Sequence, residues 1–268
     1  MINSIKIYKF IFIILLSLFL NACNNNEKKK LENSLPIPAW DKNAENKIWF
    51  AYKEWHHAKK DPIAATNIGY AYSEKLNDYE KAIEWYKYSN SMKPLPETSN
   101  YACYAYQQLK QYKEAIKWCE DAINMGSKDA LFRLGKVYEL NKDYNKSLTY
   151  YKKSFEDTSD LMALSNLGSV YYDNKDYENA EIYFKKAIEK GNLESYQNIA
   201  SFYHNGLKDD IKASAYAIAV INTKYTKSSV LRLLKDDWNI SNETIKKGYE
   251  LQLNSDDFPI KFKGDLGL

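Results

Sequence analysis

Residues Leu161–Lys190 read LMALSNLGSVYYDNKDYENAEIYFKKAIEK, and the two halves of this stretch carry the same apolar rhythm. In the first half Ala163, Leu164, Leu167, Gly168 and Tyr171 recur at helical spacing. In the second, Tyr177, Ala180, Tyr183, Phe184, Ala187 and Ile188 do so. Each set therefore falls along one face of a short helix. The polar run Asp173-Asn174-Lys175-Asp176 separates them, and Asp176 is placed to cap the second helix by accepting a backbone N–H bond. A helix pair this short cannot bury both faces alone, so it requires copies of itself alongside.

Alignment on Gly168, Tyr171, Tyr177, Ala180, Phe184 and Ala187 finds four such copies. From Leu131 the register gives Gly135, Tyr138, Tyr144, Ser147, Tyr151 and Ser154. From Asn100 it gives Cys103, Tyr106, Tyr112, Ala115, Cys119 and Ala122. From Asn67 it gives Gly69, Tyr72, Tyr79, Ala82 and Tyr86, with one extra residue in the turn. From Asn198 it gives Ala200, Tyr203, Ala213 and Ala217, again with one extra residue. The first anchors lie 34, 32, 33 and 32 residues apart.

This pattern resembles the tetratricopeptide repeat (TPR), a helix–turn–helix of about 34 residues. Asn166-Leu167-Gly168-x-x-Tyr171 followed by Ala180-x3-Phe184 carries the likeness. The one-residue insertions, with endings such as Lys190-Gly191-Asn192 and Met125-Gly126-Ser127, lean toward the related Sel1-like repeat, whose longer period is not met. The resemblance implies an all-α fold, a right-handed α-solenoid of about five repeats over residues 62–222 with N- and C-terminal capping helices. Gly168 and Ala180 would let helices approach closely, and stacking would curve the array around a concave face. Asp61-Pro62 supplies a cap and a first-turn proline for the first repeat.

In TPR proteins the first helix of each pair lines the groove. The resemblance therefore implies a partner-binding surface at Asn67, Tyr70, Asn100, Tyr104, Phe132, Lys136, Asn166, Ser169, Tyr172, Asn198, Ser201 and His204, joined by Thr66, Ser165 and Gln197. Aromatic rings with amides and hydroxyls suit an extended peptide or a partner helix. Asn67, Asn166 and Asn198 resemble an asparagine ladder for peptide backbone, interrupted by Tyr101 and Arg133. The Lys, Asn and Arg set of a TPR clamp for acidic C-terminal peptides is absent.

Composition narrows the partner class. The 268 residues are 45% hydrophobic and 27% charged, with only nine Gly and six Pro, which favours helices over a strand-rich fold. Net charge is +3, and the cationic residues are nearly all Lys, with Arg133 and Arg232 the only arginines. No basic stripe points to nucleic acid.

The N-terminus has the layout of a secretory signal. Lys6 and Lys9 precede an apolar run, Phe10–Leu20, that is too short to span a bilayer as a helix. Leu20-Asn21-Ala22-Cys23 resembles a bacterial lipobox. That resemblance implies removal of residues 1–22 and lipidation of Cys23, and Asn24 after it favours the outer membrane, facing the periplasm. An ordinary signal or an uncleaved anchor is the alternative. Residues 23–42 are expected to be a flexible tether and 43–61 a capping helix, with Ile48, Trp49, Tyr52, Trp55 and Ala58 as its apolar stripe.

Cys103 and Cys119 share the second repeat. Antiparallel pairing sets Cys103 near Ala115 and Cys119 about one turn away, so the expectation is two buried fillers rather than a disulfide. After the repeats, residues 223–268 are expected to close the array with a helix near 228–235, another from the N-cap Ser241 to about Leu253, and an irregular tail. No catalytic or nucleotide-binding motif is present, His56 and His57 lack metal-ligand company, and no cofactor is implied. The expected role is a lipid-anchored envelope scaffold or assembly factor for a protein partner. The alternatives are an enzyme or regulator of cell-wall metabolism, and a structural spacer without a ligand.

Overall fold

The computed structural model describes residues 35–268, so the expected signal segment, Cys23 and the first part of the expected tether lie outside the described residues. The chain forms two compact units, one ending at Ser127 and one running Lys128–Leu268. The first contains α1 (Trp49–Ala58), α2 (Pro62–Leu76), α3 (Tyr79–Met92), α4 (Pro96–Gln108) and α5 (Tyr112–Asn124). The second contains α6 (Asp129–Leu140), α7 (Tyr144–Thr158), α8 (Leu161–Asp173), α9 (Tyr177–Glu189), α10 (Ser195–Ser201), α11 (Asp210–Ala219), α12 (Lys227–Arg232) and α13 (Asn242–Asn254). Helices α10 and α12 run on as π-helical turns, Phe202–Leu207 and Leu233–Asp237. The five expected repeats are the pairs α2–α3, α4–α5, α6–α7, α8–α9 and α10–α11.

One turn recurs in all five pairs. A residue with positive φ ends the first helix: Asn77, Lys110, Lys142, Lys175 and Lys208. The N–H of the next residue returns to the carbonyl of the anchor tyrosine, from Asp78, Gln111, Asp143, Asp176 and Asp209 to Tyr72, Tyr106, Tyr138, Tyr171 and Tyr203. This closure satisfies carbonyls that a helix end leaves open. The four aspartates then cap the second helix, accepting from the backbone N–H three residues on, Asp176 from Asn179 at 3.2 Å. Gln111 sits in the same backbone geometry but makes no side-chain cap.

Where the paired helices cross, a glycine meets a ring. A Cβ on Gly69 would stand 2.6 Å from Tyr86, one on Gly135 2.8 Å from Tyr151, and one on Gly168 2.6 Å from Phe184. Glycine is required at these three crossings because a methyl group would enter the ring. Alongside, each anchor tyrosine from the second to the fifth pair stacks on an aromatic of its partner helix: Tyr106 on Trp118, Tyr138 on Tyr150, Tyr171 on Tyr183 and Tyr203 on Tyr216.

The second pair departs from this rule and corrects the sequence reading. Cys103 and Cys119 form a disulfide, with Cα atoms 5.2 Å apart and both residues fully buried. They hold the columns of Gly168 and Phe184. Their Cα atoms stand closer than the ~6 Å that four residues rise along a helix, so Cys119 lies less than one turn from the level of Cys103 and within reach of a bridge.

The N-terminal expectations also shift. Residues 35–42, expected to belong to the tether, pack on the first unit: Leu35 N donates to Ser91 Oγ at 2.9 Å, and the Trp40 ring lies 5.4 Å from Tyr52 and 5.8 Å from Trp55. In α1 the buried edge is Ile48, Ala51 and Ala58, with Trp55 edge-on to Trp85 at 5.5 Å. Trp49 is exposed instead, and Tyr52, though exposed, leans on Trp40.

At the other end α13 lies against α11 through Gly248, where a Cβ would stand 2.5 Å from Ser214 and 2.8 Å from the Ile211 carbonyl. Ser241 caps α13 by accepting from Thr244 N. The segment 255–268 is irregular but held. Phe258, Phe262 and Leu266 are buried, and the Gln252 side chain both donates to Phe262 O and accepts from Phe262 N, at 2.7 and 3.0 Å. Among the described residues no helix is long and apolar enough to cross a membrane.

Candidate partner-binding site

The second unit gathers four of the expected groove residues into one place. Ser169 and Tyr172 from α8, and Asn198 and Ser201 from α10, line a depression of about 210 Å³ together with Asp173, Phe202 and Asn205, with Phe184 also in its lining. Its shape follows from the repeat geometry. Phe184 is fixed against Gly168, Gly206 lets the π-helical backbone approach the Tyr172 ring, and Phe202 stands edge-on to Tyr172 at 5.7 Å. Rings thus form the walls, while amides, hydroxyls and one carboxylate supply polar contacts, the usual make-up of a recognition site.

Charge in this region is graded by a network on α6 and α7. Lys136 Nζ lies 2.6 Å from Glu139 Oε1, and the Tyr151 hydroxyl donates to Glu139 Oε2 at 2.6 Å. Burial, reinforced by Glu139, keeps the Tyr151 phenol protonated far above its ordinary range. Asp173, on the rim, is exposed as a whole residue, yet burial of its carboxyl raises its pKa. Glu139 raises it further and Lys136 opposes. A cationic or hydrogen-bond-donating group brought to Asp173 would relieve that unfavourable setting.

Other expected groove residues serve the fold. Phe132 packs 5.4 Å from the Tyr151 ring, and Asn166 Nδ2 donates to the Tyr151 hydroxyl at 3.1 Å, so both hold the core of the second unit. Asn198, although it lines the depression, donates to Ser165 Oγ at 2.9 Å, and Ser165 is buried. The three asparagines therefore do not form a uniform ladder. Thr66 is buried too, bonded to Ser89 and Thr98 at 2.9 and 2.6 Å. His204 turns toward the C-terminal part: its ring stacks on Trp238 at 4.5 Å and Nδ1 lies 2.6 Å from Asp210 Oδ1. In the first unit Tyr70 is exposed and leans on Tyr101 at 5.1 Å, Tyr104 meets Tyr79 edge-on at 6.0 Å, and Asn67 is exposed. Asn100 lies half-buried on α4.

Asp173, Phe202 and Asn205 were missed in the sequence. The wider turn of a π-helix brings the fourth residue on, rather than the third, back toward the face of Ser201, so Asn205 takes the place expected of His204. The extra residue in the fifth repeat was a partial signal: there it coincides with a π turn, whereas the same insertion in the first repeat leaves α2 regular. Gln197 lines a second cavity of about 190 Å³ with Ala200, Val220, Tyr225 and Arg232, in which Asp237 is the lone carboxylate. Among the described residues no group of three or more His, Cys, Asp or Glu could hold a metal ion.

Comparison with known proteins adds to this geometry. A tetratricopeptide-repeat profile matches residues 64–94, and a profile for anaphase-promoting complex, cyclosome, subunit 3 matches residues 108–187. The heat shock protein sti1 homolog of Schizosaccharomyces pombe is 33% identical over 101 residues, 33% of this chain. The match spans 17% of that protein's length. Among solved structures MamA shares 21% identity with a TM-score of 0.50, covering 59% of this chain and 99% of that one. The protective antigen c5321 of uropathogenic Escherichia coli, which displays an SLR fold, shares 18% with a TM-score of 0.50, covering 76% and 48%. The human IFIT1 dimer with PPP-AAAA shares 12% with a TM-score of 0.54, covering 74% and 52%. At these identities the structural likeness is one of fold. The profile matches cover the first helix pair and run from the end of α4 through the fourth pair, where the recurrent turns also lie: the chain carries tetratricopeptide-type repeats.

Proposed function

We propose that this protein is a lipid-anchored scaffold or assembly factor of a bacterial envelope, facing the periplasm from the outer membrane, and that it binds a peptide or helix of a partner protein in the depression between α8 and α10. A TPR-type scaffold suggests protein–protein interaction. The observation that carries the reading is the convergence of Ser169, Tyr172, Asn198 and Ser201 on one concavity that holds aromatic walls and polar rims. Export draws support from the lipobox-like Leu20-Asn21-Ala22-Cys23 and from the Cys103–Cys119 disulfide, since such bonds persist in oxidising compartments.

The test is capture of envelope proteins by the full chain and by Ser201→Tyr. The tyrosine fills the depression without touching the buried helix crossings. Loss of about tenfold or more in recovery of a captured partner is expected, as one blocked pocket removes a central contact. Equal recovery by both chains would count against the depression.

A further inference from the structure

The face of α1 turned away from the core carries residues that a solvated helix does not need. Ile48, Ala51, Trp55 and Ala58 supply its inward edge, and the opposite edge of a surface helix is ordinarily polar. Here that edge holds Trp49, 60% exposed, next to Phe50, 40% exposed, with Tyr52 beside them. Lys53 Nζ lies 4.9 Å from the Trp49 ring centre, and Lys47 precedes the pair. Adjacent exposed aromatics with lysines at their margin match the interfacial belt of membrane-bound proteins, where amphipathic rings sit at headgroup level and ammonium groups meet lipid phosphates.

The course of the chain selects this occupant over others. The described chain begins at Leu35, tied to the same unit through Ser91, and Trp40 packs directly on α1. Leu35 lies twelve positions after Cys23, a reach of at most about 40 Å even when fully extended. An acylated Cys23 would therefore hold the first unit within a short distance of the bilayer. A face that stays close to lipid gains from aromatic burial at the interface without an anchor's full insertion energy.

We propose that the Trp49–Phe50–Lys53 face of α1 is a lipid-surface contact, which lays the first unit against the membrane carrying its anchor. This rests on the lipid-anchor reading of Cys23. The full chain is reconstituted into vesicles of phosphatidylethanolamine and phosphatidylglycerol with brominated acyl chains, and tryptophan emission is recorded. Most of the bromine-quenched emission is expected to vanish in Trp49→Phe and to persist in Trp118→Phe. Phe50→Ser with Lys53→Glu, both on the exposed edge, is expected to abolish quenching of Trp49 while far-ultraviolet circular dichroism stays unchanged. Equal quenching in the Trp49→Phe and wild-type chains overturns the proposal. So does a dimer in sedimentation that dissociates in the Phe50→Ser, Lys53→Glu chain, which assigns the face to a second copy. The mass of the N-terminal peptide reads the anchor separately. An unmodified Cys23 with Trp49 still quenched removes the anchor and keeps the surface. An acylated Cys23 with Trp49 unquenched keeps the anchor and removes the surface.

Discussion

The pairs α4–α5 and α8–α9 solve the same packing problem by different chemistry. In α8–α9 the crossing is made by Gly168 under Phe184, and the second helix is capped by Asp176. In α4–α5 the same two columns hold Cys103 and Cys119, joined covalently, and the cap position holds Gln111, which makes no cap. Van der Waals fit plus a cap stands in one pair where a covalent bond stands in the other. A repeat thus tolerates loss of its defining side chains when something else fixes the distance between its helices.

That contrast can be broken from either side. The largest effect is expected from reducing the disulfide, or from Cys119→Ala, since opening a loop of this size costs about 3 kcal/mol. The readout is the urea midpoint of Trp118 emission, a local probe because Trp118 stacks on Tyr106 in the same pair. The midpoint of Trp238 emission, in the second unit, should barely move. A first-unit midpoint indifferent to reductant would contradict the covalent account. Next in size, Gly168→Ala drives a methyl into the Phe184 ring and should cost about 2 kcal/mol by overpacking. Phe184→Leu in the same chain should recover part of that loss in a double-mutant cycle.

Converting the second pair to the rule of the fourth, with Cys103→Gly and Cys119→Phe together, should remove sensitivity to reductant. Stability should stay within about 1 kcal/mol of the oxidised protein if the ring fills the space as Phe184 does. Collapse of the fold in that chain would show that the two columns are not equivalent. The smallest effect is a gain. Gln111→Asp gives α5 the cap its siblings have, worth about 1 kcal/mol, visible as a higher first-unit midpoint.

Much of this architecture is readable in the linear pattern, because repetition multiplies a weak signal. Gly168, Tyr171 and Asp176 say little singly; their counterparts at regular intervals fix the helix pairs and their turns. What escaped depends on side-chain direction and on backbone departures. The disulfide depends on the relative level of two helices, which the apolar pattern does not set to within a turn, and the fold brings Cys119 nearer to Cys103 than one turn. Trp49 and Ile48 lie at adjacent positions, and Ile48 is buried while Trp49 is exposed, which the apolar stripe does not decide. Groove positions follow a fixed frame until the π turn at Phe202–Leu207 rotates it, exchanging His204 for Asn205. Asn166 and Phe132 look like surface residues in the frame, but the buried Tyr151 recruits both.

The cystine of the second pair spans only sixteen residues, so its thiols meet as soon as two neighbouring helices form. Oxidation then needs no distant part of the chain, and the bond can be in place while later repeats are still collapsing. The chain has three cysteines. On the proposed anchor the third is consumed by acylation, which leaves two thiols and a single way to join them. Disulfide maturation would then proceed without scrambled pairings and without dependence on an isomerase.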